Sequence, residues 1–417
     1  MSESALDSTL LRRQAILDRQ QALVGYDLSL LTSEDANAPH DLMQRARAAA
    51  LVCAAYAELG IRSALGSSLA FLHTDVAFLH DDAIEALPPD GVILELVLDA
   101  EPDASTLERC RTLRDRRYNL ALADYTGLDD CSRPLLTLVN VIKIDIRQHD
   151  EASLRELAGP LARLPLKLLA LGVDTPADFE RCAALGFQLF QGNHFARTET
   201  VSGRRLTPSQ TRLIQIINLA ARDADTTRIE EGIKHEPALA VNLLRIVNSV
   251  GFGLTRRIHS LRHAITLLGR RQLQRWLQLL LMTPAGQAPD ARRQPLLQVA
   301  ALRGRMLELL VEHCHPRQRV LADQAFITGL MSMMPAALGL PMDEIIAQID
   351  LEPEIVAALE DHAGPLGALL GLIEAFDAED QAACSARLAA LPDPGLTPGM
   401  LNVCLMEALR WVNGDAP

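Results

Sequence analysis

Between residue 67 and about residue 192, short apolar runs alternate with amphipathic stretches, and this alternation constrains the fold more than any other feature of the sequence. "SSLAFLH" (67–73), "GVILELVL" (91–98), "NLALAD" (119–124), "VIKIDI" (141–146), "LKLLAL" (166–171) and "FQLFQG" (187–192) read as strands. "DVAFLHDDAIEAL" (75–87), the Asp-capped "DASTLERCRTLRDRR" (103–117) and segments near 150–163 and 176–185 read as the helices between them. Alternation at this spacing implies parallel strands joined by helical crossovers. Upstream, "QAILDRQQALVGYDLSLL" (14–31) adds two strands around the polar turn Asp18-Arg19-Gln20-Gln21. "DLMQRARAAALVCAAYAEL" (41–59) adds a helix with an almost continuous Ala/Leu face. The total approaches a TIM-like (β/α) barrel, whose function sits at the C-terminal ends of its strands. Asp27, His73, Glu95, Asp124, Lys143 with Asp145, Asp174 and Gln191 fall at those ends.

After "GRRL" (203–206) no convincing strand follows. "TPSQ" (207–210) has Thr at the cap, Pro at the first helical position and Gln three on, a helix-start signature. Eleven further helices follow by pattern, with Gly251, Gly253, Gly269, Gly339 and Gly364 at breaks. The expected fold is therefore α/β plus all-α, divided as 1–204 for the barrel and 205–417 for the helical domain. The net charge of −13 argues against general affinity for nucleic acid or anionic membranes. Seven scattered cysteines without a C-x-x-C pair read as reduced thiols. No signal peptide or run of 18 apolar residues is visible, so a cytoplasmic location is expected.

"NVIKIDI" (140–146) sets Lys143 and Asp145 into an otherwise apolar strand, and charged residues there need a reason. One reading is a metal site; the other is an ion pair of Lys143 and Asp145, or a pairing with Asp124 or Glu95, at the barrel mouth. The ordered motifs "LVGYDLSLL", "LALADYTG", "VIKID", "LALGVDT" and "FQLFQGNHF" make residues 14–198 resemble the EAL domain, a barrel that in its active members hydrolyses cyclic di-GMP with two divalent metals. The resemblance places the signature glutamate at Asp27, a metal-binding asparagine at His73, and intact positions at Glu95, Asp124, Lys143, Asp145 and Gln191, with Asp174 for a second glutamate. It also places Leu31 where the family has a phosphate-contacting arginine, and Leu98, Ala123 and Leu171 where it has acids. Leucine and alanine offer no lone pair to Mg²⁺ or Mn²⁺.

In the second half, "EPALAVNLLRIVNS" (236–249), "IHSLRHAITLLG" (258–269) and the following "RRQLQRWLQLLLM" resemble the HDOD domain, which is related to HD hydrolases but typically lacks their metal ligands. The three His-Asp dipeptides, at 40–41, 80–81 and 149–150, all lie in the first half. His259 with His263, and the "HCHPR" segment (313–317), are incomplete ligand sets. Arg270, Arg271 and Arg275, with Trp276, form a basic spot that reads either as a contact for an acidic partner or as a solvated helix face. "GLMSMMPAAL" (329–338) reads as core or as an adaptable groove.

From these absences the expected function is non-catalytic: a scaffold in cyclic di-GMP-related bacterial signalling that binds other signalling proteins through its HDOD domain. On this reading Asp27, Glu95, Asp124, Lys143, Asp145, Asp174 and Gln191 are remnants, and no metal or cofactor is expected. The alternatives are a cyclic di-GMP phosphodiesterase, which would need Mg²⁺ or Mn²⁺, and a cyclic di-GMP-binding sensor.

Overall fold

The structure is a computed structural model and describes residues 9–32, 56, 59–98, 102–125, 127, 133–193, 206–222, 225–248, 258, 260–283, 294–378, 380–391 and 395–413. Eight strands close a barrel in the order of the chain: β1 (Thr9–Asp18), β2 (Leu23–Thr32), β3 (Leu69–Thr74), β4 (Val92–Leu96), β5 (Asn119–Leu122), β6 (Val141–Asp145), β7 (Lys167–Leu171) and β8 (Leu189–Gln191). From β2 to β8 every neighbouring pair is parallel, whereas β1 runs antiparallel to both β2 and β8. The reversal follows from the short link at Arg19–Ala22, which can make a hairpin but not a crossover. Asp18 fixes that turn by accepting from the backbone N–H groups of Gln20 and Ala22. The helix read over 41–59 lies outside the described residues, apart from Tyr56 and Leu59.

Strand side chains alternate faces, and this period arranges the interior in layers. Ile16, Phe71, Ile93, Ala121, Val141, Leu169 and Leu189 pack as one buried apolar layer. Two residues toward the mouth on each strand lie Gln14, His73, Glu95, Ala123, Lys143, Leu171 and Gln191, and Asp27 joins them from β2 opposite Gln14. An apolar layer is thus followed by a mostly polar one, which carries the candidate chemistry.

The chain forms two compact units, residues 1–197 with 375–417, and residues 198–374. The division expected at 204/205 is therefore corrected at the C-terminus, because helices Gln381–Ala390 and Pro398–Asn413 belong to the barrel unit. The reason lies in β1. Its pairing with β8 covers only Ile16–Asp18, which leaves the outer edge of Thr9–Leu11 open to another partner. Fully buried Asn402 supplies one: Leu11 N–H donates to its Oδ1 (2.8 Å), and its Nδ2 donates to the Thr9 carbonyl (2.6 Å). Further along the same helix, Arg410 donates to the Leu59 carbonyl and Asn413 to the Ala64 carbonyl.

The second unit is helical. Helix Pro208–Ala221 opens on the expected capping box of Thr207 and Gln210. Met331, Met333 and Met334 are buried, so the methionine-rich segment is core. The stretch Pro353–Asp377 is long and apolar enough to span a membrane, with a mean hydropathy of 1.2. Left-handed His362 (φ 51°) divides it into helices Pro353–Asp361 and Gly364–Asp377, each shorter than the ~20 residues a bilayer requires. Cys110, Cys182, Cys384 and Cys404 are buried, and burial pushes the thiols of Cys110, Cys182 and Cys384 up to about 11.

Candidate functional site at the barrel mouth

Lys143 is the centre of the polar layer. Its side chain reaches in from β6 and is 5% exposed. Nζ donates to Asp27 Oδ2 (2.5 Å), Glu95 Oε1 (2.8 Å) and Glu95 Oε2 (3.0 Å). Burial alone would lower the Lys143 pKa, but the charges and hydrogen bonds of Glu95 and Asp27 outweigh it and leave it above the ordinary value. Burial and the charge of Asp27 push the Glu95 carboxyl up to about 7, against the pull of Lys143. Lys143 is therefore a fixed positive charge, and Glu95 is the group of the pair that burial pushes toward its protonated form. The ion-pair reading of Lys143 is correct as to Glu95, but its second partner is Asp27 rather than Asp124, and Asp145 pairs with Arg147 rather than with Lys143.

Gln191 extends the network. Its Nε2 donates to Gln14 Oε1 (2.6 Å) and to Asp27 Oδ2 (2.8 Å), while its buried Oε1 has no hydrogen-bond partner. Gly192 holds this end of β8 against the β7 loop, since a Cβ there would lie 2.0 Å from the Val173 carbonyl oxygen. Asp124 follows β5 in a left-handed conformation (φ 50°), which aspartate tolerates better than most residues, and is exposed. Burial pushes the His73 imidazole below its ordinary value, with Asp27 opposing, so it is mostly neutral at pH 7. Asp145 is turned aside: it accepts from Arg147 Nε (2.8 Å), Nη2 (2.7 Å) and N–H (3.0 Å), and these bonds hold its carboxyl low. Asp174 accepts from the Asn193 N–H.

Asp27, Glu95, Asp124, Asp174, Lys143, Gln191, His73 and Leu171 line one cavity of about 320 Å³, together with Arg12, Gln14, Ser29, Arg147 and neighbouring residues. Sequence reasoning missed Arg12 and Gln14, although the alternation of β1 with Ile16 as an inward residue would have found both. Of the hydrocarbon positions, Leu171 lines the cavity, Ala123 is buried and Leu98 is half-buried beyond the end of β4. The donors suit a hard divalent cation in kind, being carboxylates plus an unpartnered amide oxygen. Among the described residues no three His, Cys, Asp or Glu side chains converge on one point, and the ammonium of Lys143 bridges Asp27 and Glu95.

In the helical unit, the structure corrects the basic spot. Trp276 is buried, and Arg275 is enclosed between Glu308 (2.6 Å), Asp323 (3.0 Å) and the ring of Phe326. Arg271 is exposed but paired with Asp323, and Arg270 is half-buried. These residues brace helices against one another instead of presenting a common basic face. His263 is exposed on helix Leu261–Leu268, whereas His259 lies outside the described residues.

A charged cluster at the C-terminal mouth of a (β/α) barrel, in a chain with a separate helical unit, defines a two-domain protein with a polar ligand or reaction site in its first domain. Residues 67–198 match the EAL domain and residues 206–338 match the HDOD domain, so the chain is an EAL–HDOD protein. A Vibrio cholerae protein named cyclic di-GMP phosphodiesterase CdgJ is 27% identical over 98% of this chain and 93% of its own length. The Bacillus subtilis protein YuxH is 23% identical over 96% of this chain and 97% of its own. An EAL domain protein from Listeria monocytogenes, known from its crystal structure, is 18% identical, with a TM-score of 0.38 over 46% of this chain and 90% of that one. The expectation that the chain is not an enzyme is overturned by the near end-to-end match to a protein named as a phosphodiesterase.

Proposed function

We propose that the protein acts in cyclic di-GMP-related signalling as a cyclic di-GMP phosphodiesterase, with the reaction at the barrel mouth. One observation carries this reading: four carboxylates and three cations line a single cavity at the strand ends. Its volume falls in the range of about 300–1,000 Å³ common for ligand pockets. The similarity to CdgJ supplies the substrate class.

In the hydrolysis, water oxygen bonds to phosphorus, one P–O ester bond breaks, and the leaving oxygen receives a proton. Asp124, exposed at the mouth, accepts the proton of the attacking water. Glu95 takes up or releases a proton near neutral pH at its Oε atoms, beside the fixed charge of Lys143 Nζ. That ammonium holds Asp27 and Glu95 in place and offsets negative charge as it builds on the phosphoryl oxygens. Gln191 donates to the same Asp27 oxygen as Lys143 and helps to hold it. Asp124 and the unpartnered Gln191 Oε1 would offer oxygen donors to Mg²⁺ or Mn²⁺, while Asp27 and Glu95 stay held by Lys143; a bound ion would lower the pKa of water and draw charge from the phosphate.

The test is turnover of cyclic di-GMP by the full chain with Mg²⁺ or Mn²⁺. Wild type should hydrolyse it, and Asp124→Ala and Glu95→Gln should each lose about a hundredfold or more. Absence of turnover by folded wild-type protein with either metal would refute the reading.

A further inference from the structure

The barrel holds a second cavity, at the ends of the strands opposite the mouth, with a volume of about 440 Å³. That volume lies within the range of about 300–1,000 Å³ common for small-molecule sites. Its floor is the underside of the buried apolar layer, with Phe71, Ile93, Val141 and Leu189. Partly exposed Val24 and Leu69 pack against that layer and wall the opening.

The same period of two that sets the polar layer above this floor decides what stands below it. On β7, Lys167 lies two residues before inward Leu169, and on β5, Asn119 lies two before inward Ala121. Register sets Lys167 beside Val141 and Asn119 beside Ile93. Both residues line the cavity. Asn140 adds a second amide; its Oδ1 already accepts from the Leu120 N–H (3.1 Å), so its Nδ2 is the group left to a ligand. Lys143, the other inward lysine, is neutralised by Asp27 and Glu95. Among the described residues no carboxylate lines this second cavity or pairs with Lys167, whose side chain is exposed at its rim.

An apolar floor beside one unpaired ammonium and two amides fits a ligand with a hydrocarbon body and a single negative charge. A carboxylate matches that donor set by charge, whereas a phosphate dianion is better served by a guanidinium fork or a helix N-terminus. We propose that this cavity binds a small amphiphilic carboxylate of the medium-chain fatty acid class. The hydrocarbon rests on Ile93, Val141 and Leu189, and the carboxylate sits at Lys167 Nζ. The apolar layer separates this cavity from the Lys143 cluster, so the inference is independent of the phosphodiesterase reading.

The experiment is calorimetric titration of the full chain, as wild type and Lys167→Met, with octanoate, octan-1-ol and acetate, and a thermal melt of each protein. Wild type should bind one octanoate per chain in the submillimolar range. Octan-1-ol should bind it about tenfold more weakly, the worth of one charge-assisted hydrogen bond, and acetate should give no heat for want of hydrocarbon. Lys167→Met keeps an apolar stem and drops the charge. It should lose about tenfold in octanoate affinity, hold its affinity for octan-1-ol, and melt within about 2 °C of wild type. Should that variant melt lower, Lys167→Gln takes its place and is judged by the same ratio of acid to alcohol. The proposal is overturned if wild type gives no heat with millimolar octanoate, if it binds acid and alcohol equally, or if removing the ammonium leaves octanoate binding unchanged.

Discussion

Replacing Lys143 with methionine removes the ammonium but keeps most of the side-chain volume. Asp27 and Glu95 are then left facing each other without the cation that both contact within 3.0 Å. Removing one member of a buried ion pair costs about 3–5 kcal/mol, because the remaining charge is desolvated and unpaired. The cost depends on pH through Glu95, whose carboxyl stands at about 7 in the folded protein against 4.5 ordinarily. A carboxyl raised in this way holds a proton that the unfolded chain releases, so stability falls as pH rises from the unfolded value through the folded one. Without Lys143 the folded value rises further, and that falling window extends above pH 7. The deficit relative to wild type should therefore be smaller near pH 5.5, where Glu95 is protonated in both proteins and only the pairing with Asp27 is lost, and full near pH 8.5. For a unit of this size about 3–5 kcal/mol corresponds to a drop of roughly 6–20 °C in melting temperature. Thermal melts of wild type and Lys143→Met at both pH values decide the matter. A drop that is equal at the two pH values, or below about 2 °C at pH 8.5, would show that Lys143 does not hold buried Glu95 and half-buried Asp27 together.

Three further outcomes follow from the structure. Asn402→Ala leaves Leu11 N–H and the Thr9 carbonyl without their buried partner, and urea unfolding should show a loss of about 2–4 kcal/mol; a loss near zero would mean that water takes over both bonds. Gly192→Ala drives a Cβ into the Val173 carbonyl, so the end of β8 must shift and carry Gln191 with it. Turnover should fall by more than tenfold, and an unchanged rate with an unchanged melt would refute that coupling. Arg275→Ala leaves Glu308 and Asp323 without their shared cation and removes the contact with Phe326, for an expected loss of about 2–4 kcal/mol in the helical unit. If stability is untouched, the cluster is a surface feature after all.

The sequence by itself determined the barrel and most of its mouth. Strand and helix alternation is local, and a period of two decides which residues face inward once one inward residue is known. Glu95, Lys143 and Gln191 could therefore be placed from the sequence as residues at the strand ends. What the tertiary structure decided was partnership. Lys143 meets Asp27 across 116 residues of chain, and Arg275 meets Asp323 across 48, so no window of sequence shows that the first is shared with Asp27 or that the second is enclosed. Arg12 went unnoticed because β1 read as beginning near Gln14, whereas it begins at Thr9. The amphipathic pattern of Pro398–Asn413 showed that this helix must bury one face, but not which one of the two units would cover it. Hydrophobic burial is non-directional. The choice was made by the open edge of β1 and by the pair of hydrogen bonds that Asn402 makes to it.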